Sequence, residues 1–591
     1  MSADVKRNQV MQPARPTTQS PAVLWFCSTI AWGATLLLLA GCSASHYQRS
    51  ADKDTYSIVQ HVEARLFGKT NAFTIDTPYS GRKPTDILPP ELIEDRLQTN
   101  RRVLSLDAAL DLAFSRSRAY QMQKETLYLT ALSLTGARHA FSPQFFASSD
   151  ARVSPTDGGA VVHNQVGMDQ LLKSGGSLSL TLANDIINDL LHYYNGDPQR
   201  SIISTISVNL AQPLLAGAGM NHPAVEALTQ AERNVIYAVR THAFFQNQFS
   251  LEIVNDYFTL LAQKDTIRNR YANYLSRGLS TRRLEAREDR EQLAAIDQAR
   301  QSELSARNTY VNEVARYFTA LDLFKIKLGL PLGERIFLDD TALAEVKQVG
   351  LLPVPLDPVL GYRLAVRWHL PTLNNIDAFE DTKRKVRLAA DALKPGLTFF
   401  ADASLRSDQP VDYTHFDLKQ VRTGIGFNLD LPFERRQERN NYRAALVRFE
   451  EQVRDLTLSL DELRDDIEEG LRTVAQRRQN YQIQTNALAL ANRRVESSTL
   501  LQQAGRAEVR DVIEAQDAQI SAQNAVTDAL VSYQRVRLQL MLDIGALKTV
   551  ADKFWLKDHL TDFMPGPVPV AATAAAAAEQ PVIPPDQLFE K

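Results

Sequence analysis

Between Leu446 and Tyr481 apolar side chains recur at Leu446, Phe449, Val453, Leu456, Leu460, Leu463, Ile467, Leu471, Val474 and, past Arg478, Tyr481: 35 residues in ten steps. A repeat of 3.5 residues is coiled-coil spacing. The pattern predicts a helix from about Gln437 to Ala504, roughly 100 Å long at 1.5 Å per residue. A second such helix is predicted from about Asn221 to Ser276, roughly 80 Å. Its Pro223 falls in the first turn, where a helix tolerates proline. Val235, Val239, Phe245, Phe249, Ile253, Tyr257 and Leu260 keep similar spacing there. Helices this long cannot be buried inside one compact domain and must pack side by side.

Each long helix follows directly on a two-faced strand pattern. In "TISVNLAQPLLAGAGMNHP" (205–223), Ile206, Val208 and Leu210 share one face and Thr205, Ser207 and Asn209 the other. In the second half Val421, Thr423, Ile425, Phe427, Leu429 and Leu431 oppose Arg422, Gly424, Gly426, Asn428 and Asp430. Leu178, Leu180 and Leu182 alternate with Ser177, Ser179 and Thr181. About nine to eleven such residues, tilted, cross a bilayer core. A soluble sheet with one face on a core is the commoner origin of alternation, but helices of this size leave little for such a sheet to cover. In lipid, unpaired sheet edges cost several kcal/mol per group, so only a closed barrel is tolerated. About four strands per chain are too few to close one, and three copies would supply about twelve.

The body is duplicated. "LSLDAALDLAF" (104–114) opens one half and "PLDPVLGYRLAV" (355–366) the other; "FFASSDARV" places Asp150 where "FFADASL" places Asp402. Each half reads helix, strand, strand, helix, helix. The first half carries extra residues between Pro143 and Pro213, including "QVGMDQLLKSGGSLSLTLAND", that leave room for another hairpin. The predicted divisions are 1–41 signal, 42–103 lead-in, 104–330 first repeat, 331–355 linker, 356–547 second repeat and 548–591 C-terminal segment. The lead-in, with "DTPYSGRKPTDILPPE", reads as extended or loosely folded. The Pro- and Ala-rich stretch from about 564 reads as disordered.

At the N-terminus Lys6, Arg7 and Arg15 precede an apolar run from Val23 to Ala40 that ends in "LLAGC". This is secretory-signal architecture, and Ala40-Gly41-Cys42 resembles the bacterial lipoprotein signal. That resemblance implies acylation of Cys42 as the first mature residue; a plain anchor helix is the alternative, at the short limit for spanning. Ser43 stands where, in that family, an aspartate would imply retention in the inner membrane. Removing residues 1–41 takes away Cys27, so the mature chain has no pair for a disulfide. It also shifts the net charge from −3 to −5, with 63 basic and 68 acidic residues. No basic excess marks a nucleic-acid partner. "AGAGMNHP" lacks the Lys-Ser/Thr of a phosphate loop, and the motifs HExxH and GxSxG are missing. The histidines have no ligand spacing, so neither an enzyme, a metal site nor a cofactor is expected beyond lipid on Cys42.

With the duplicated plan, "SVNLAQPLLAGAG", "YLSRGLSTRRLEAREDREQLAAIDQA" and "LQQAGRAEVRDVIEAQDAQISAQNAVTDALVSYQRVRLQL" in order, residues 104–547 resemble the TolC-type outer-membrane efflux proteins. The resemblance implies a mainly α fold with a small β part: a homotrimer with a shared transmembrane β-barrel in the outer membrane and a coiled-coil α-barrel crossing the periplasm. It implies a passive conduit for efflux or type I secretion, working with a periplasmic adaptor protein and an inner-membrane pump. A periplasmic adaptor lipoprotein with helical hairpins is the alternative, though that architecture has one hairpin rather than two.

Residue roles follow by the same resemblance. Pro213 and Pro432 would end ladder pairing, and Gly217 and Gly219 would turn the chain from barrel to helix. Gly278 and Gly505 are expected at hairpin turns, where glycine serves as a C-cap; with Leu279, Ser280 and Arg506 they would form the tip that meets the adaptor. Asp511 and Glu514, three apart on one helical face, would ring the periplasmic entrance, where a cluster of like charges attracts cations. Acidic residues on an exposed helix mostly serve solvation. Glu514 replaces the family's commoner aspartate, and Arg506 lies one position early for a gate latch.

Overall fold

The computed structural model describes residues 44–70, 72–154, 159–194, 197–286, 293–407, 415–431, 433–560 and 563. The expected duplication appears as matched element lengths. Helices α3 (Leu106–Arg116) and α8 (Pro358–Trp368) have 11 residues each; α4 (Arg118–His139) and α9 (Leu370–Asp391) have 22 each. Strands β2 (Gln144–Ser154) and β7 (Gly396–Arg406) have 11 each. The long helices α5 (Pro223–Glu285) and α10 (Arg436–Gln503) have 63 and 68 residues, and their partners α6 (Leu293–Lys327) and α11 (Val509–Asp543) have 35 each. The heptad pattern located α10 to within a residue at each end.

Two expectations are corrected here. The first half has four strands, not two: β3 (Gly159–Leu171) and β4 (Ser177–Tyr194) stand between β2 and β5 (Asp197–Pro213). With β8 (Arg422–Asp430) they form a six-stranded antiparallel sheet ordered β2-β3-β4-β5-β7-β8, so the count per chain is six rather than about four. The two halves meet at β5–β7, in register from Thr205↔Arg406 to Pro213↔Thr398. The lead-in is also not loose. It forms α1 (Ala44–Phe67) and α2 (Pro89–Leu97). Tyr56, Val59, Val62 and Leu66 turn one stripe of α1 onto α4 and α5, burying Val59 among Leu127, Tyr128, Val235 and Val239. The Tyr128 hydroxyl donates to Asp52 at 2.8 Å.

The main core lies midway along the helices. A two-stranded parallel sheet, β1 (Arg101–Leu104) with β6 (Arg335–Leu338), packs with α3, α7 (Thr341–Val349) and the middle of α5. Phe249, Ile253, Tyr257, Phe258 and Leu261 supply the α5 side. The Tyr257 hydroxyl lies 2.9 Å from the Leu104 carbonyl and 2.8 Å from that of Asp339, tying the helix to both strand ends. The segment after α11 joins this core through Phe554 and Trp555. The heptad repeat ignored this belt, because its elements are short and its contacts are distant in sequence.

Tyr257→Phe should cost about 1 kcal/mol, since the half-buried Asp339 carbonyl loses its hydrogen bond; a lowered melting temperature of the detergent-solubilised protein is the check. A buried imidazole, His242, and a half-buried one, His369, predict an acid limit. Burial, with Lys124 nearby, pushes His242 down to about 4, and burial alone does the same for His369. Both stay neutral in the folded chain while the unfolded chain takes protons below about 6.5. Stability therefore falls as pH drops from about 6.5 towards 4. The double variant H242Q/H369Q should lose part of that drop when melting is followed from pH 7 to pH 4.5.

Candidate functional site: sheet, join and hairpin tip

The sheet separates its side chains by chemistry. One face carries Phe145, Met168, Val166, Leu180, Leu182, Ile206, Val208, Ala401, Phe399, Ile425 and Phe427 in cross-strand rows. These side chains have no apolar layer over them: Phe145, Ile425 and Phe427 are 80%, 75% and 65% exposed. The other face carries Asp150, His163, Asp185, Thr181, Asn209, Asp402 and Arg422. An apolar outside with a polar inside is the pattern of a membrane barrel and the reverse of a soluble one. Among the described residues, the edge strands β2 and β8 have a neighbour on one side only.

A polar row crosses the apolar face at one level. Ser149 donates to Asn164 at 2.7 Å, Asn184 to Ser204 at 2.8 Å, and the Ser204 amide to the Ser407 hydroxyl at 2.9 Å. Nine residues separate Ser204 from Pro213. At about 3.3 Å each and a tilt near 40°, they rise about 23 Å, close to the height of a barrel's lipid belt.

At the join, Pro213 is the last residue of β5, and Leu214 still donates to the Leu397 carbonyl at 2.7 Å. Gly217 and Gly219 then take φ of +73° and +58°, the left-handed region that other residues avoid. The Gly217 amide donates to Asp391 at 2.9 Å and the Gly219 amide to the Ser174 carbonyl at 2.8 Å. Burial raises the Asp391 carboxyl, but hydrogen bonds from Lys394 and Gly217 outweigh it and hold its pKa below the ordinary value. His222 caps α5 by accepting from Ala224 at 3.2 Å, with Pro223 at the first position. Pro432 and Cys42 lie outside the described residues.

Below the join sits an ion network that the sequence reading missed. The buried Asp381 of α9 accepts from Tyr237 at 2.6 Å, Arg384 at 2.7 Å and Gln230 at 3.1 Å, and pairs with Arg233. Arg240 and Arg233 reach Asp377 at 2.5 and 3.1 Å, and Arg384 reaches Glu226 at 3.2 Å. It locks α5 of the first half to α9 of the second. Nothing local signals it, since the partners lie 137–158 residues apart except for Arg384–Asp381.

The tip corrects one expectation and keeps another. Gly278 is not a turn: α5 runs through it to Glu285. Gly278 is buried, and a Cβ there would meet Glu303 Oε1 of α6 at 3.2 Å. Leu284, Ile296 and Ala299 cluster beyond it, so packing past the glycine outweighs the roughly 1 kcal/mol that glycine costs a helix. Leu279 points outward and Ser280 is half-buried. Gly505 does turn, at φ +72°. Its amide donates to Gln502 at 3.0 Å and the Arg506 amide to Leu501 at 2.8 Å, closing α10 with a Schellman motif.

Asp511 and Glu514 have separate surroundings. Asp511 accepts from the Glu508 amide at 3.2 Å as the far half of a capping box. Glu514 is exposed, 3.6 Å from Arg494 and 3.8 Å from Arg510. Between the two hairpins, α5 and α11 meet through polar side chains. Asn269 donates to Asn524 at 2.7 Å, and Arg277, only 6% exposed, pairs with Asp517 and bonds Asn273 at 3.0 Å. Among the described residues no cluster of three or more His, Cys, Asp or Glu could hold a metal ion, and no helix is long and apolar enough to cross a membrane.

No protein-family model matches the sequence, and no curated protein matches it. Solved structures do. CusC, described for its folding and transmembrane channel formation, aligns at a TM-score of 0.56 and 12% identity, over 74% of this chain and 92% of its own. The outer membrane protein VceC of Vibrio cholerae aligns at 0.53 and 17%, over 74% and 96%. The CmeC outer membrane channel of Campylobacter jejuni aligns at 0.54 and 14%, over 74% and 85%. The chain therefore has the fold of the TolC-type outer-membrane channels.

The two glycines predict opposite outcomes. Gly505→Ala forces a Cβ into a left-handed residue at about 1–2 kcal/mol and should speed hydrogen exchange of the Arg506 amide. Gly278→Ala needs only a small shift of the Glu303 side chain and should leave the melting temperature equal or higher.

Proposed function

We propose that this chain is the outer-membrane channel of an efflux or type I secretion system, a passive conduit through the outer membrane and periplasm. One observation carries the reading: a six-stranded sheet, apolar and uncovered on one face and open at both edges, mounted on helices of 63 and 68 residues. In lipid such edges must pair, so copies of the chain must close the ring. Three copies give about eighteen strands, a size at which barrels leave an aqueous lumen. The helices support the same assembly. Leu304, Val311 and Phe318 form an exposed heptad stripe on α6, facing away from α5, of the kind a neighbouring subunit covers.

Lipid on Cys42 fits the course of α1. Asp52 lies against Tyr128, while Gln121 donates to the Ile75 carbonyl beyond the far end of α1, so α1 runs antiparallel to α4 with its start towards the sheet. Counting 1.5 Å per residue from that contact puts Ala44 about 5 Å from the level at which α4 ends. A lipid on Cys42 would then reach the same leaflet the sheet enters. An adaptor at the inner end, with an inner-membrane pump behind it, would meet Leu279, Ser280 and the Gly505–Arg506 turn. Gly278 would lie just behind that surface, inside α5 and against α6. Asp511 and Glu514 of three chains would ring the entrance, Glu514 with its charge partly offset by Arg494 and Arg510.

Purified protein in planar bilayers should give steady conductance, and chemical cross-linking in detergent should stop at three copies. A silent monomer, soluble without detergent, would sink the channel reading. Cys42→Ser should abolish labelling by radioactive palmitate while trimers persist.

A further inference from the structure

The short parallel sheet at mid-length turns a mixed basic and apolar face outward. Leu104, Ile336 and Leu338 point into the core, while Arg101 and Val103 of β1 and Arg335 and Phe337 of β6 are exposed. The register sets Arg101 beside Arg335 and Val103 beside Phe337. Val103 is 71% exposed and Phe337 46%. At the entry end of the same sheet stand Leu97, 71% exposed, and Leu332, 54%. The segments that carry them touch: Arg96 donates to the Gly329 carbonyl at 3.1 Å, and a Cβ on Gly333 would lie 3.1 Å from the Gln98 carbonyl. The strip therefore reads apolar, basic, apolar along the strands.

Its charge is unmatched. Like charges side by side on neighbouring strands repel. Arg101 rests over the Phe337 ring, 4.8 Å from its centre, and neither Arg101 nor Arg335 forms a salt bridge among the described residues. The acids beside them are engaged elsewhere. Glu334 is buried and pairs with Arg102 at 3.2 Å, Asp95 pairs with Arg96, and Asp339 accepts from Thr341. Two guanidinium groups amid exposed apolar surface suit a carboxylate that has apolar side chains on both sides of it.

The chain carries such a segment outside the described residues. In "PVIPPDQLF" (581–589), Val582 and Ile583 precede Asp586, and Leu588 and Phe589 follow it. Asp586 stands three residues after Ile583 and two before Leu588; on β6, Arg335 stands three after Leu332 and two before Phe337. Prolines favour an extended course of about 3.1 Å per residue, close to the rise of a strand. The reach also suffices. Phe563 packs edge-on against Trp368, on the same core that underlies β1 and β6. The 18 residues from 564 to 581 span about 23 Å as a coil and about 55 Å when extended.

We propose that residues 582–589 dock on this strip. Asp586 lies between Arg101 and Arg335, Val582 and Ile583 cover Leu97 and Leu332, and Leu588 and Phe589 cover Val103 and Phe337. The chain's own end then straps β1 to β6 from outside.

Disulfide trapping in the full chain tests this, with the joined peptides identified by mass spectrometry. Under mild oxidation V103C/L588C should form its disulfide within one chain. It should do so several-fold faster than V103C/A575C, whose second cysteine lies nearer to Phe563 but outside the docking segment. Adding D586R should slow the 103–588 disulfide several-fold, and R101E/R335E should restore it by exchanging the charges. If R101E/R335E does not fold, the comparison of L588C with A575C and the effect of D586R, both confined to the tail, decide. No disulfide, equal rates for the two pairs, or a rate that D586R leaves unchanged overturns the proposal. A 103–588 disulfide found only between chains also overturns it, since a second copy is then the occupant.

Discussion

The governing constraint is the hydrogen bonding of two sheet edges. β3, β4, β5 and β7 each have a neighbouring strand on both sides, whereas β2 and β8 each turn one side outward. In water such an edge is hydrated cheaply; in hydrocarbon it has no partner. On the proposed membrane reading these edges lie in hydrocarbon, because Phe145, Val208 and Ile425 of the same face have nothing apolar above them. On that reading, oligomerisation would be demanded by the backbone rather than added to a finished monomer. Each copy would supply the partner for the next copy's edge, and the helices would then sit around the same axis.

That geometry requires the two halves of one chain to stay at a fixed angle, and between the β5–β7 ladder and the polar seam at the tip they are tied at two heights. Near the sheet, Asp381 gathers Tyr237, Gln230, Arg233 and Arg384. Midway, β1 pairs with β6, and Tyr257 reaches the ends of both. The upper tie is ionic and buried, so removing one partner strands charge. The lower tie is mostly apolar and draws on area removed from water. Between these ties the helices need no long-range specificity, and their heptad pattern suffices.

Legibility followed the range of each interaction. α10 could be read to within a residue because its signal repeats ten times between Leu446 and Tyr481. The strand faces were readable because alternation is local, and β3 and β4 lay inside a segment whose excess length was plain. The end of α5 was misread because Gly278 and Gly505 look alike as letters. Only the neighbours differ: Glu303 lies against one, whereas open space surrounds the other. In the lead-in, the stripe Tyr56, Val59, Val62 and Leu66 was short and interrupted by charges, so it did not stand out. The Asp381 and Arg277 contacts were beyond reach, because their partners are set by tertiary packing alone.

Those same contacts grade the molecule along its length. α5 begins among ion pairs at Arg233 and Arg240, passes through the apolar run Phe249 to Leu261, and ends on Asn269, Asn273 and Arg277. Separating the hairpins in the apolar stretch would expose Ile253, Phe258 and Leu261 to water, at roughly 1.5–3 kcal/mol for each large side chain. Separating them at the tip exchanges Asn269–Asn524 and Arg277–Asp517 for bonds to water, and a hydrogen bond so exchanged is worth only about 1 kcal/mol net. The chain is therefore stiffest where its halves interlock and loosest at the end facing away from the sheet. In the conduit proposed above, an outer end held by a closed barrel would leave its freedom at the opposite end, where the polar seam places it.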